Sequence, residues 1–506
     1  MFLEGLHLVL GWDSLLGILI GTLIGVVIGI VPGLGSGAGM ALILPLVFYL
    51  PPHVGLLVLL SLWQADGYGA SISSILINVP GGSGAAFTCL DGYPLAKQGK
   101  AGLAMGLSMG SSVIGGFMGI AILMLFAPPI AKVAIMFSSA DYFILAIFGI
   151  LMVVLSMEGA YFKGFIMAGL GLMFSFIGVD VVTGYPRNVF GQIYLMDGIG
   201  FSVFIIGMYA IGRLVAELPH GGSVAKAAKL SGGLIGGMLE GIKIAFIRWK
   251  VSFRAGVIGI LVGTLPGTGV SVSSALSYMD ARTHTKDPTP FGTGNFDGVL
   301  APECANNSTQ GGGLIPTFTL GIPGTASCAI FLGGLIMYGI RPGPELFTQQ
   351  GALVWAVFIG MAVGVLAFLV VGIIFISPFA KITLIPLNFL VPTTVMIAIT
   401  GTYAMDGTMA NVFLALAFGI LGYLTGEFGY PIVPAIIGMI LGPIAERNFY
   451  QAMLISNDSF SIFYKSWMTV ALVLVCIYML ASPFIKSYRT RKRGDQKPDQ
   501  QMPTQW

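Results

Sequence analysis

Of the chain's 506 residues, 56% are hydrophobic and 9% are charged, where an ordinary soluble domain carries roughly 25% charged residues; a fully water-exposed surface is excluded. The net charge of +3 says little about partners, because the basic residues sit in a few clusters and not on one face that could bind nucleic acid, and no nucleic-acid partner is expected. The 73 glycines, about twice the usual share, suit helices that pack closely or break around a ligand inside a bilayer.

The first eleven residues include Glu4 and lack the basic start and small-residue cleavage site of a signal peptide, so the first hydrophobic segment is expected to be retained. The runs 14–31, 101–127, 351–379 and 466–484 each supply the ~20 mostly apolar residues a spanning helix needs, and roughly ten to twelve crossings are expected along the chain. Pro32-Gly33-Leu34-Gly35-Ser36-Gly37 interrupts the apolar stretch 14–50, and Pro266-Gly267-Thr268-Gly269 interrupts a similar one later. Pro80-Gly81-Gly82-Ser83 and Pro323-Gly324-Thr325 are flanked by arms too short to span, which predicts re-entrant hairpins with their tips inside the membrane.

These landmarks repeat in order. Gly29-Ile30-Val31-Pro32-Gly33-Leu34-Gly35 is echoed by Gly263-Thr264-Leu265-Pro266-Gly267-Thr268-Gly269, Ile75-Leu76-Ile77-Asn78-Val79-Pro80-Gly81 by Phe318-Thr319-Leu320-Gly321-Ile322-Pro323-Gly324, and Ile206-Gly207-Met208 by Ile437-Gly438-Met439. Between the halves stand Lys226, Lys229, Lys243, Arg248 and Lys250, and the tail carries Lys486, Arg489, Arg491, Lys492, Arg493 and Lys497. Both stretches are expected in the cytoplasm. The second half then crosses an even number of times; without its last helix, 466–484, the repeat unit is odd, and an odd unit used twice must be inverted. The chain divides into a first membrane repeat (1–215), a basic cytoplasmic linker with an interfacial helix over 234–250 (216–253), a second membrane repeat (254–450), an additional C-terminal transmembrane helix (451–485) and a basic cytoplasmic tail (486–506). The expected fold is all-α and polytopic, with two inverted repeats, broken helices and re-entrant hairpins.

A half-helix that starts inside the membrane exposes N–H groups and about half a positive charge, which suits a carboxylate, while the opposite ends present carbonyls to a dehydrated sodium ion. The candidate substrate-binding residues are therefore Gly35, Ser36, Asn78, Gly81 and Ser83 in the first half. In the second they are Thr268, Gly269, Asn306, Asn307, Gly324 and Thr325. The run Asn306-Asn307-Ser308-Thr309-Gln310-Gly311-Gly312-Gly313 reads either as a binding segment of neutral donors or as a solvated loop. Ser308 and Thr319 are the candidate ligands of a transported sodium ion; Glu303 and Asp66 read as ion ligands or as interface residues paired with neighbours. Asn295, in a polar stretch, is expected to be a quiet position. No resident cofactor is expected, and Cys89, Cys304, Cys328 and Cys476, without CxxC spacing or neighbouring histidines, read as packing residues.

The passages ILINVPGGSGAAFTCLDGYPLAKQGKAG (75–102) and APECANNSTQGGGLIPTFTLGIPG (301–324) resemble the two signature regions of the TctA family, the large membrane subunit of bacterial tripartite tricarboxylate transporters. The likeness extends over nearly the whole chain; Ala70 departs from an expected glycine. The resemblance implies a multi-pass protein of the bacterial inner membrane. It implies a small multi-spanning membrane subunit and a periplasmic solute-binding protein as partners, a carboxylate such as citrate as substrate, and symport driven by a cation gradient, commonly sodium. No GxxxxGK[ST] element is present in the chain. The alternatives are a stand-alone carboxylate carrier, a passive channel whose flux ignores any binding protein, and an intramembrane serine hydrolase, since Gly81-Gly82-Ser83-Gly84 fits a GxSG pattern. The last needs a base beside the serine, and His7, His53, His220 and His284 all fall at segment ends or in polar stretches.

Overall fold

The computed structural model describes residues 1–31, 34–157, 160–180, 183–217, 234–382 and 387–493. Pro32 and Gly33, the linker residues Lys226 and Lys229, His220 and Lys497 lie outside the described residues, as do the side chains of the basic tail. The first half runs α1 (Phe2–Leu10), α2 (Trp12–Ile30), α3 (Gly35–Val47), α4 (Pro52–Ile77), α5 (Thr88–Lys97), α6 (Ala101–Ala134), α7 (Ser139–Ser156), α8 (Tyr161–Ser175), α9 (Phe201–Ile205) and, after a π-helical turn, α10 (Gly212–Glu217). The second half runs α11 (Leu234–Ile247), α12 (Trp249–Gly263), α13 (Gly269–His284), α14 (Asp297–Leu320), α15 (Ala326–Met337), α16 (Glu345–Gln349), α17 (Gly351–Ile374), α18 (Ile376–Ile382), α19 (Leu387–Asp406), α20 (Met409–Glu427) and α21 (Ile432–Ile455). After α22 (Ile462–Lys465), α23 (Trp467–Arg493) packs on α7. Among the described residues, α2, α6, α7, α17, α20 and α21 are long and apolar enough to cross a bilayer, and the only strands are a two-residue pair, 178–179 with 186–187.

The core of the molecule is its most polar part. Helix α4 carries Trp63-Gln64-Ala65-Asp66-Gly67-Tyr68 and α14 carries the Asn306 to Gly313 run, yet both helices are buried along nearly their whole length. Among other helices, a buried segment stays helical because its N–H and C=O groups then pair within the segment. The polar run of α14, left open by the sequence between binding segment and solvated loop, is therefore a buried helix. The two core helices are antiparallel: Gly67 lies against Asn306 and Asn307, and the Gln310 amide donates to the Trp63 carbonyl at 3.2 Å.

Around this pair the halves repeat one packing scheme. Helix α2 runs alongside α4 in parallel, with Gly21 on Val58, Gly25 on Leu62 and Gly29 on Asp66 and Ala70; α12 runs alongside α14 in parallel, with Gly259 on Ala305 and Gly263 on Thr309 and Gly313. The next layer crosses over. Helix α6 of the first half lies on α14 (Gly115 on Cys304, Gly119 on Ser308), and α17 of the second half lies on α4 (Gly360 on Leu57, Gly372 on Tyr68). Helix α1 caps the start of α17 as α11 caps the start of α6 (Gly5 on Ala356, Gly106 on Met238). Likewise α8 pairs with α21, and α9 and α10 with α20. Equivalent helices are antiparallel across the molecule, as the inverted-repeat expectation requires.

Candidate functional site

Each half folds a hairpin back on its own core helix. Helix α4 ends at Ile77, Asn78 takes a left-handed conformation (φ 59°, ψ 27°), and α14 ends the same way at Gly321 (φ 71°, ψ 19°). The chain then returns inward as an extended segment, so that Gly81 donates to the Ala70 carbonyl at 3.3 Å. The arm preceding each hairpin is thus a full-length helix, and only the outward arm, Ser83–Ala85 with α5 or α15, is short and helical. Gly81 sits on the Gly29 carbonyl and Gly324 on Gly263 and Gly313; a Cβ at Gly81 would overlap the Gly29 oxygen. Gly267 donates to the Gly324 carbonyl at 3.1 Å, so each tip rests against the helix break of its own half.

The tips also meet the opposite half. Ser36, in the first turn of α3, shares a 2.9 Å hydrogen bond with Ser327 in the first turn of α15. Equivalently, α13 lies beside Ser83–Ala85, with Tyr278 against the Phe87 ring. Gly82 approaches Gly35, and Gly84 packs on the Asn306 amide. At the first of these contacts two helix starts from different halves, α3 and α15, face one another, with partial positive charge on both. Beside Ser36 stands the Asp66 carboxyl, whose Oδ1 is buried without a hydrogen-bond partner among the described residues, as are Gln64 Oε1 and Tyr68 Oη on the same helix. Buried polar atoms left unpaired mark a place for water or a ligand.

Of the residues singled out from sequence, Gly35, Ser36, Gly81, Ser83, Asn306, Asn307, Gly324 and Thr325 lie at or beside these junctions, with Ser83 exposed and the amides buried. Thr325 accepts from the Cys328 N–H at 3.2 Å, capping α15, and Asn307 Nδ2 donates to the Glu303 carbonyl at 3.1 Å. Gly269 starts α13 at φ 70°, and the Thr268 hydroxyl turns back to the Val262 and Leu265 carbonyls at 2.7 and 2.9 Å. Asn78 is not at a tip: it is the exposed outer corner of its hairpin, about 12 Å along α4 from Ala70 at ~1.5 Å per residue. Ser308 and Thr319 donate to Ala305 and Ile315 of their own helix and stand about 16 Å apart along it, so they do not converge on one point. Asn295 is fully buried and not solvated; its amide donates to Thr289 and accepts from the Asp297 N–H.

Sequence reasoning named Glu303 as an ion ligand or an interface residue but passed over the hydroxyls that surround it. This fully buried carboxyl accepts from Thr88 of α5 and from Ser108 and Ser112 of α6, the last two at 3.1 and 3.4 Å. The i, i+4 spacing of Ser108 and Ser112 was the available signal. It also passed over Asp91, whose Oδ1 accepts from the N–H groups of Gly292, Gly294 and Asn295 at 2.8–3.0 Å while Oδ2 accepts from the Tyr278 hydroxyl.

Inverted halves, paired helix breaks and hairpins closing on a polar core define a polytopic membrane protein of the inverted-repeat kind. The model of the tripartite tricarboxylate transporter TctA family matches residues 15–437, and the chain belongs to that family, the large subunit of such transporters. Two proteins of Agrobacterium vitis are similar to it. One, described as an uncharacterized 52.8 kDa protein in the TAR-I ttuC' 3' region, is 32% identical over 455 residues, covering 89% of this chain and 90% of that protein. The other, an uncharacterized protein in the TAR-II ttuC' 3' region, is 35% identical over 234 residues, covering 46% of this chain and 97% of that protein. No solved structure matches the chain.

Proposed function

We propose that the chain imports a tricarboxylate or related carboxylate across the bacterial inner membrane by cation symport with alternating access. It works with a small multi-spanning membrane subunit and a periplasmic solute-binding protein. The observation that carries this reading is the contact of the two halves at the hairpin tips, Ser36 in the first turn of α3 against Ser327 in the first turn of α15, and α13 beside Ser83–Ala85. A carboxylate held there by N–H groups, hydroxyls and the Asn306 amide touches both halves at once, so relative movement of the halves opens the site to one side or the other. Symport follows from electrostatics. A trianion entering a cell held 100 mV negative faces ~7 kcal/mol, at 2.3 kcal/mol per charge, which cotransported cations offset.

The test is uptake of radiolabelled carboxylates by proteoliposomes holding both membrane subunits. Uptake should need the matching binding protein and an inward cation gradient. Uptake with a gradient but no binding protein would favour a stand-alone carrier; uptake with neither would favour a channel.

A further inference from the structure

The carboxyl of Glu303 is a buried acid with no cationic partner among the described residues. It is 0% exposed, and among the described residues the groups that reach it are hydroxyls. The titratable side chains nearest it, Tyr68 of α4, Cys89 of α5 and the adjoining Cys304, carry no positive charge. Several buried helical hydroxyls turn back on their own helix, as Ser111 does to Leu107, Thr317 to Gly313 and Thr319 to Ile315, and Ser71, which bonds the Gly67 carbonyl, also reaches Glu303. Thr88, Ser108 and Ser112 instead aim at Glu303. Three hydroxyls from two helices therefore reach the two oxygens of a carboxyl sealed from solvent, five oxygens from three helices in all. An all-oxygen set suits a hard cation, and a single carboxylate balances a single positive charge, so a divalent ion would leave the pocket charged.

We propose that Glu303, Thr88, Ser108 and Ser112 form a sodium-binding site, and that its ion is the one that drives transport. The coupling role rests on the symport reading above; the ion site itself does not. The site spans the halves, because α5 and α6 belong to the first and α14 to the second. Thr88 follows directly on the hairpin tip, and Asn306 and Asn307 lie one turn beyond Glu303. A bound ion therefore draws the outward arm of the first hairpin onto α14 and sets Gly84 against Asn306. An empty site leaves a lone carboxylate between them and loosens the same contact. The carboxylate substrate then binds best after the ion.

The test is binding of radiolabelled sodium to the purified full-length chain in nanodiscs, with the unfolding midpoint followed in sodium, potassium and choline chloride. The wild type should bind sodium saturably and gain stability in sodium alone. Loss of partners that merely support a metal ligand costs 10- to 100-fold in affinity, so Glu303→Gln and the double variant Ser108→Ala with Ser112→Ala should weaken binding at least about ten-fold. Glu303→Asp, which keeps the charge, should bind measurably better than Glu303→Gln and guards against a folding failure. Ser111→Ala, which loses only bonds to the Leu107 and Ser108 carbonyls of its own helix and none to Glu303, should bind as the wild type does. No saturable sodium binding by the wild type, or undiminished binding by Glu303→Gln, overturns the site; a response to protons alone does the same. Sodium binding at this site together with uptake indifferent to sodium would overturn the coupling role and the symport reading while leaving the ion site standing.

Discussion

Asn78 and its counterpart Gly321 show how a residue chosen for its side chain can be held for its backbone. Both close a core helix in the left-handed region, which costs an ordinary L-residue roughly 1–2 kcal/mol and asparagine or glycine little. Asn78→Gly should therefore transport like the parent, whereas Asn78→Ala should lower the unfolding midpoint by the equivalent of ~1–2 kcal/mol. Equal loss of uptake in both variants, at unchanged stability, would mean that the amide touches substrate after all. Asn306 stands differently, its amide packed on Gly84 where the two halves meet. Losing one hydrogen bond to a charged group costs about 1.5–3 kcal/mol, so Asn306→Ala should reduce uptake about ten-fold or more at normal membrane abundance. The buried Asn295 belongs to a third kind. With Asp91 it pins the segment between α13 and α14, so Asn295→Ala and, more severely, Asp91→Ala should destabilise the chain by several kcal/mol, about 3 or more for the latter. A monodisperse Asp91→Ala protein with an unshifted unfolding midpoint would remove that role.

The elements that position the site were legible where they depend on short-range chemistry. Pro-Gly breaks at 266–267 and 323–324 announce interrupted helices from sequence, because proline lacks an N–H and glycine admits positive φ. The long polar helix α14 was not legible in the same way. Its run of Asn, Ser, Thr, Gln and Gly has weak helix propensity and no apolar stripe, and it is helical because α6, α12, α13 and α4 surround it. The same holds for the converging hydroxyls on Glu303, since 215 residues separate Thr88 from that carboxyl and no local pattern links them. At the hairpin tips, closeness of backbone is the controlling quantity. Gly81→Ala and Gly324→Ala each place a methyl against backbone, on the Gly29 carbonyl or between Gly263 and Gly313. Each should displace its tip and cut uptake at least about ten-fold, since displacements of 1 Å cost reacting sites ~10²-fold; Gly169→Ala in α8, with no atom within 4 Å of its added Cβ, is the comparison. Uptake normalised to protein in the membrane decides between them.

At the scale of the whole molecule, duplication was readable from the order of three short motifs, but the crossed packing of the two halves was not, because it joins faces hundreds of residues apart. If the reading of the basic clusters is right, reporter fusions after Ala216 and after Lys486 should both report cytoplasm; opposite sides would contradict the parity on which inversion was inferred from sequence. The crossing of α17 onto α4 also bears on how the protein is made. When synthesis has reached Glu217, the face of α4 bearing Gln64 and Tyr68 still awaits Gly364 and Gly372, which are yet to be translated. Polar groups facing lipid are costly, so the first half is expected to complete its packing only once α17 has been made, and a chain stopped before α17 should leave the Gln64 and Tyr68 face uncovered.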